Sequence, residues 1–388
     1  MFWIVLTTLV GVNAAPLIFF KLNIWGAQNF FIYIMVLGIF CWSLNKNLPL
    51  ALFTFWTGLS TCAWLLSYKM GGKLNLDLTN QFFNFICAIV LYKGIMASVN
   101  STNIHKIINA LRYVVIVELM FCGLQFFGYS QFFTLLQPNS KHFNNIVVGF
   151  IGQSTFIAGL LAMSAPIFFI KRDLTDKLSI ILLVLILFTT GTTKGDPSST
   201  GFLVMIVVAL YYSFYINKKV FLTVLSFIVV FGVGLLFILP KNIVELLFNS
   251  HGRFPMWAYY MDLFKQMPVT GGGLGTVANI AHKTDFPRAH QLHMEFFQLA
   301  FELGLIGLCL FGNMILDFFK IKHVNETELA LKTIFLGFLV YSCFLFPAHL
   351  WLPSSLAIFA YAGMYAMKEE RHAGINSTPN QKSGFIYN

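Results

Sequence analysis

A dense group of residues that could do chemistry lies in one polar stretch, between about residues 240 and 295. This stretch holds four of the nine histidines and two arginines: His251, His282, His290, His293, Arg253 and Arg288. A histidine can act as a general base at neutral pH, because a large fraction of it is uncharged there. A guanidinium group binds phosphate oxygens through two parallel hydrogen bonds. The stretch therefore predicts chemistry on a charged substrate.

Arg288 and His290 place a cation and a base two positions apart, just before a long apolar run. At a membrane surface, this pair would meet the diphosphate head group of a lipid. The alternative is that Arg288 and Lys283 only bind lipid phosphates and that His290 is an interfacial histidine. His290 and His293 have the spacing of helical metal ligands, but no third ligand at a zinc-site spacing accompanies them, so we expect no metal and no cofactor.

The composition indicates a membrane protein. Hydrophobic residues make up 57% of the 388 residues and charged residues only 10%, with a mean hydropathy of +0.75; soluble domains carry about 25% charged residues. About 20 apolar residues in a helix cross a bilayer, and exposed backbone is excluded from lipid. Long apolar runs cover about 2–20, 24–43, 48–66, 80–99, 107–127, 146–170, 178–191, 199–216, 219–239, 296–319, 333–347 and 351–367. The sequence thus predicts an all-α polytopic membrane protein with about 12 transmembrane helices.

The basic residues of the short loops predict the topology. With both termini in the cytoplasm, most lysines and arginines fall on the cytoplasmic side, as membrane proteins require. The polar loop at about 240–295 is then large, late in the chain and on the external side of the membrane. Topology accounts for the net charge of +10, so we expect no nucleic-acid partner. We predict one membrane-embedded domain over 1–372 and a disordered cytoplasmic tail over 373–388.

Two features structure the polar loop. Residues 254–266 place Met256, Trp257, Tyr260 and Phe264 at helical spacing, which predicts a short amphipathic helix on the membrane surface. Glycines follow between 271 and 275. A turn that needs positive φ explains them, and the alternative is a backbone that approaches a ligand closely.

The order and spacing of these residues resemble the shared core of the O-antigen polymerase and O-antigen ligase superfamily. The resemblance rests on Gly252-Arg253, Trp257, Pro268, Gly271, Gly273, Gly275, Ala289-His290, Glu302 and Gly304-Leu305-Ile306-Gly307. It implies a metal-independent, inverting glycosyltransferase of the bacterial inner membrane with a periplasmic active site. The donor would be a polyprenyl-diphosphate-linked oligosaccharide and the acceptor a second glycan, and a chain-length regulator protein could be a further partner.

Matched position by position, Arg253 and Arg288 correspond to residues that hold the diphosphate, and His290 to the histidine that activates the acceptor hydroxyl. Family members often carry a further arginine before the eighth span. Here that loop has only Lys194, which offers a point charge without the planar fork. His293, Glu295, Gly273 and Gly275 are candidate supporting residues, and Glu302 is expected to be structural.

The modest length and the missing arginine favour a surface-polysaccharide polymerase. The first alternative is an O-antigen ligase that transfers the glycan to lipid A-core. The second is a transporter or flippase of lipid-linked sugars, which should line its spans with charges. Few ionisable residues lie within the predicted spans, which argues against transport.

Overall fold

The computed structural model describes residues 47–69, 76–128, 147–149, 154–190, 198–238, 253–273, 276–277, 292–345 and 347–375. Within these ranges the regular structure is helical throughout. The helices are α1 Leu48–Lys69, α2 Leu76–Ser98, α3 Ile104–Phe126, α4 Ser154–Ser164, α5 Pro166–Phe169, α6 Leu174–Leu187, α7 Ser199–Ile216, α8 Lys218–Ile238, α9 Arg253–Phe264, α10 Glu295–Lys320, α11 Glu326–Ser342 and α12 Trp351–Ile375, with a 3-10 turn at Pro347–His349.

The all-helical architecture is confirmed for these ranges, and three helices are long and apolar enough to cross a membrane. They are α3, α7 and α10. Apart from α9, which lies in the polar loop, the other described helices follow the predicted apolar runs to within several residues. The total of about 12 transmembrane helices stays a prediction. The predicted runs at 2–20 and 24–43 lie outside the described residues, and so does most of the predicted tail, since α12 ends at Ile375.

Two boundaries differ from the predicted runs for clear chemical reasons. The run at 146–170 contains α4 and α5, which meet at Pro166, because proline has no backbone N–H to continue the helical hydrogen bonds. Helix α11 begins at Glu326, before the predicted 333. The Asn325 side chain caps it by accepting from the Glu328 backbone N–H, and the acidic first turn suits a helix N-terminus. A hydropathy pattern misses such a polar first turn.

Most of the described helices pack around a large apolar core. Helix α1 lies against α10, α2 against α12, and both α4 and α11 against α7. Fully buried side chains such as Leu161, Leu187, Val208 and Phe318 fill the core. The start of α10 lies beside the end of α11, since the Glu295 backbone N–H donates to the Leu345 carbonyl at 3.0 Å.

At the opposite end of the bundle, ion pairs join α3 to the start of α6, and the segment before α6 to the start of α11. Arg112 on α3 contacts Asp173 and Asp176 at 2.7 and 2.6 Å, and Arg172 contacts Glu326 at 3.1 Å. Arg112 is 7% exposed and Asp176 is fully buried. Breaking such a buried pair on one side is costly, because it leaves an uncompensated charge. These contacts hold together the end of the bundle that lies away from the polar loop.

Candidate active site

Helix α10 is interrupted at Gly304, and a loop fills the interruption. The Gly272 and Gly273 backbone N–H groups donate to the carbonyls of Phe301 and Glu302 at 3.1 and 2.7 Å. In return, the N–H groups of Leu305 and Ile306 donate to Pro268 and Val269 at 2.9 and 3.3 Å. Two helical hydrogen bonds are thus exchanged for loop contacts. The exchange joins the glycines at 271–273 to the Gly304–Gly307 segment of α10.

Glycine is required on both sides of this junction. Gly304 has φ 70° and ψ −176°, a backbone region essentially open only to glycine. A Cβ at Gly304 would overlap the Val269 carbonyl, and a Cβ at Gly271, where φ is 67°, would lie 2.5 Å from the Glu302 backbone. Gly271 and Gly273 have positive φ, as predicted for a turn. The close approach that Gly271 permits is to another part of the chain. Gly275 lies outside the described residues.

Two side chains hold other parts of the interrupted helix. Trp56 on α1 donates from its indole N–H to the Leu303 carbonyl at 2.8 Å. This hydrogen bond holds the backbone immediately before the break against α1. Glu302 is 1% exposed and accepts a hydrogen bond from Gln298 at 3.3 Å. Glu302 therefore faces protein, as a carboxyl group on a membrane helix should.

The predicted amphipathic helix is present as α9, and its apolar face packs on protein. Met256 and Tyr260, one turn apart, are buried with Leu292 and Phe301 in a small second core. Trp257 donates from its indole N–H to the Leu292 carbonyl at 2.6 Å. Helix α9 is therefore fixed to Leu292, near the end of the polar loop, and to α10.

Arg253, His293 and Glu295 come together around the turn that follows α11. Arg253 donates to the Phe344 carbonyl at 3.2 Å. The Glu295 carboxylate accepts from the Ala348 backbone N–H at 3.0 Å and is 3% exposed. Arg253 lies close enough to His293 for its charge to act on that imidazole. Residues 344–345 and 347–348 could not be predicted to complete this arrangement, because they lie some 90 positions from Arg253 in the sequence.

The electrostatics of this cluster favour a neutral imidazole beside a cation. Burial, together with the nearby Arg253 charge, lowers the pKa of His293 from 6.5 to about 4. Burial also lowers the pKa of the Arg253 guanidinium. His293 has φ 53°, a left-handed conformation in which histidine is enriched among non-glycine residues. A base with so low a pKa takes up a proton weakly at neutral pH, so His293 suits a neutral polar contact better than proton abstraction.

A mostly apolar cavity of about 220 Å³ lies beside Glu295 and Glu302. Its wall comes from α1, α2, α10, α11 and α12 and includes Phe53, Ile89, Leu303, Phe338 and Ile358. The apolar wall of this cavity lies next to Glu295, as the binding of an amphiphilic substrate would require.

The remaining predicted site residues lie outside the described ranges. His290, the predicted base, and Arg288 fall in 278–291, and Lys194 falls in 191–197. Leu292, two residues after His290, is fixed by the second core and Trp257. Within the described ranges, no group of three or more His, Cys, Asp or Glu side chains gathers around a common point for a metal ion.

Comparison with known families bears on the polar loop directly. Residues 178–312 match the model of a family described as O-Antigen ligase. This match confirms the resemblance to the O-antigen polymerase and ligase superfamily. The matched stretch runs from α6 into α10 and includes the whole polar loop, with α9 in it. No curated protein matches the chain.

Proposed function

We propose that the protein is a surface-polysaccharide polymerase that joins lipid-linked oligosaccharide units at the periplasmic face of the inner membrane. The observation that carries the proposal is the family match across the loop, together with the clustering of Arg253, His293 and Glu295 beside an apolar cavity. The donor would be an oligosaccharide on a polyprenyl diphosphate, and the acceptor a hydroxyl of a second lipid-linked glycan.

The reaction is a direct displacement at the anomeric carbon. The acceptor oxygen forms the new glycosidic bond as the bond from the anomeric carbon to the diphosphate oxygen breaks. His290 accepts the hydroxyl proton, since a sugar hydroxyl is a weak nucleophile without a base. The bonding electrons leave with the lipid diphosphate. In-line attack inverts the anomeric centre, and no metal is needed for this charge balance.

The cations stabilise the leaving group. Negative charge grows on the diphosphate as the bond breaks, and fixed cations in a partly desolvated site stabilise that charge more than water does. Arg253 is positioned for this role because one of its N–H groups is fixed by the Phe344 carbonyl, which leaves other donors of the guanidinium for phosphate oxygens. Arg288 and Lys194 are proposed as the further contacts.

The second candidate function is O-antigen ligation to lipid A-core, and the match to a family described as O-Antigen ligase favours it. The chemistry of the donor would be the same, and only the acceptor would differ. Transport of lipid-linked sugars is less well supported. Among the described residues, Arg112 and Asp317, which lie within predicted spans, contact Asp173 and Tyr365 on other parts of the fold.

The test is gel analysis of surface glycan in a strain that lacks the native gene and carries wild-type or His290→Ala protein. Wild type should restore the ladder of long chains, and His290→Ala should leave a single repeat unit on the core. Loss of all surface glycan, with lipid-linked polymer accumulating, would instead identify a ligase. A His290→Ala strain with unchanged chain length and amount would contradict the assignment of the base.

Translocation is tested separately with purified protein in vesicles. Polymerisation predicts longer lipid-linked product from lipid-linked repeat units. Movement of the donor across the vesicle membrane without longer product would establish transport and refute the proposed reaction.

A further inference from the structure

Leu292, the second residue after the proposed base, is held by hydrogen bonds on both sides of its backbone. Its carbonyl accepts from the Trp257 indole at 2.6 Å, and its N–H donates to the Gln298 side-chain oxygen at 3.1 Å. The Leu292 side chain is fully buried. In the sequence, only Gln291 separates Leu292 from His290.

The Gln298 side chain is itself oriented by a second contact. It is 1% exposed, and its amide nitrogen donates to the Glu302 carboxylate at 3.3 Å. One side of Gln298 meets an N–H group and the other a carboxylate. An amide offers both the acceptor and the donor that this position requires. Glu302 is also the residue whose backbone carbonyl receives the Gly273 N–H at the helix break.

We propose that Gln298 is a positioning residue for the proposed base His290, and that Glu302 orients Gln298. This inference rests on the proposed function, because it assigns Gln298 a role in placing that base. The contacts connect the break in α10, through Glu302 and Gln298, to Leu292 near the end of the polar loop. Side chains on a helix tilt towards its N-terminus, so a residue in the first turn of α10 is suited to hold the segment before it.

The experiment measures initial rates of the full-length protein in lipid nanodiscs with lipid-linked repeat units. The variants are Gln298→Met, which keeps the length of the side chain but offers no amide, and Trp257→Phe, which keeps an aromatic ring but loses the indole N–H. Each should lower the rate by on the order of 10-fold or more, since small displacements of a base are costly. The matched control is Gln266→Met, which changes an exposed glutamine next to α9 and should stay within about 2-fold of wild type.

Two double variants separate positioning from a general loss of structure. Gln298→Met combined with Trp257→Phe should lose little more activity than the worse single variant, because both act on Leu292. In a His290→Ala background, Gln298→Met should change the residual rate by less than about 2-fold. A variant that merely loosened the fold would lower that residual rate by the same factor as it lowers the wild-type rate.

The outcomes are decisive in each case. A Gln298→Met protein that melts like wild type and keeps its rate would overturn the inference, and so would independent, multiplying effects of the two single variants. If Gln298→Met does not fold, Trp257→Phe decides, because it must still lower the rate. If His290→Ala keeps full activity, the proposed base is wrong; if His290→Ala is inactive while Gln298→Met is fully active, only the positioning role is wrong.

Discussion

Replacing Gly304 with alanine should destabilise the protein strongly, because the junction between the glycine loop and α10 depends on this residue. The backbone of Gly304 lies at φ 70° and ψ −176°, and holding another residue there costs about 1–3 kcal/mol. The new Cβ would also overlap the carbonyl of Val269. Backbone cannot rotate away as a side chain can, so the segment around Val269 would have to move.

The movement adds the loss of two hydrogen bonds to the backbone strain. Leu305 N–H donates to Pro268 at 2.9 Å and Ile306 N–H to Val269 at 3.3 Å. Each such bond contributes about 1 kcal/mol. Together with the strain, the expected loss in the free energy of unfolding is about 3–5 kcal/mol. Activity should fall as well, since the same movement displaces Gly273 and the Glu302 backbone.

Thermal melting of purified protein in detergent provides the measurement, and Gly312→Ala provides the matched control. Gly312 lies on the same helix, and a Cβ there would meet nothing within 4 Å. Alanine is favoured over glycine inside a helix by about 1 kcal/mol, so Gly312→Ala should melt at or slightly above the wild-type temperature. A Gly304→Ala protein that melted together with Gly312→Ala would show that the junction does not stabilise the fold.

Two further predictions concern the polar cluster. Arg253→Lys should lower kcat/KM for the lipid-linked donor by roughly 10- to 100-fold, because an ammonium group keeps the charge but not the planar donors that serve both the Phe344 carbonyl and a phosphate. Initial-rate kinetics test this, and an unchanged kcat/KM would show that the guanidinium does not serve both groups. The free energy of unfolding should fall by up to about 3 kcal/mol as the pH drops from 6.5 towards 4. Burial lowers the pKa of His293 from 6.5 to about 4 in the folded protein, so the unfolded chain binds the proton at a higher pH than the folded chain does. In His293→Asn, whose asparagine also tolerates the left-handed backbone, the denaturation midpoint should depend less on pH over this range. An equally steep fall in that variant would assign the effect to other groups.

Much of the helical structure could be predicted because it depends on local chemistry. Apolar runs of about 20 residues have few stable alternatives in a membrane, and the run predicted at 199–216 is α7 to the residue. The pattern of Met256 and Tyr260 likewise predicted α9, since residues one turn apart share a face of a helix. Boundaries were wrong where a polar cap or a proline, rather than hydropathy, sets the start of a helix.

The candidate site was predictable only in part. Residue types identified Arg253, His293 and Glu295 as residues worth following, and the structure brings these three to one place. The positions of Arg288, His290 and Lys194 stay predictions. Gln298 was missed because a single glutamine in an apolar helix has no distinctive spacing, and its importance depends on the two groups between which it lies.

The sequence by itself determined which segments are helical and which loop carries the ionisable groups. These properties follow from side-chain polarity and backbone freedom, which act over a few neighbouring residues. Only the tertiary structure decided which partners these segments take. Residues 268–273 replace helical hydrogen bonds of α10, Trp56 reaches Leu303, and Arg253 reaches Phe344. Backbone groups are chemically alike along the chain, so the choice among them depends on how the packed helices bring distant segments together.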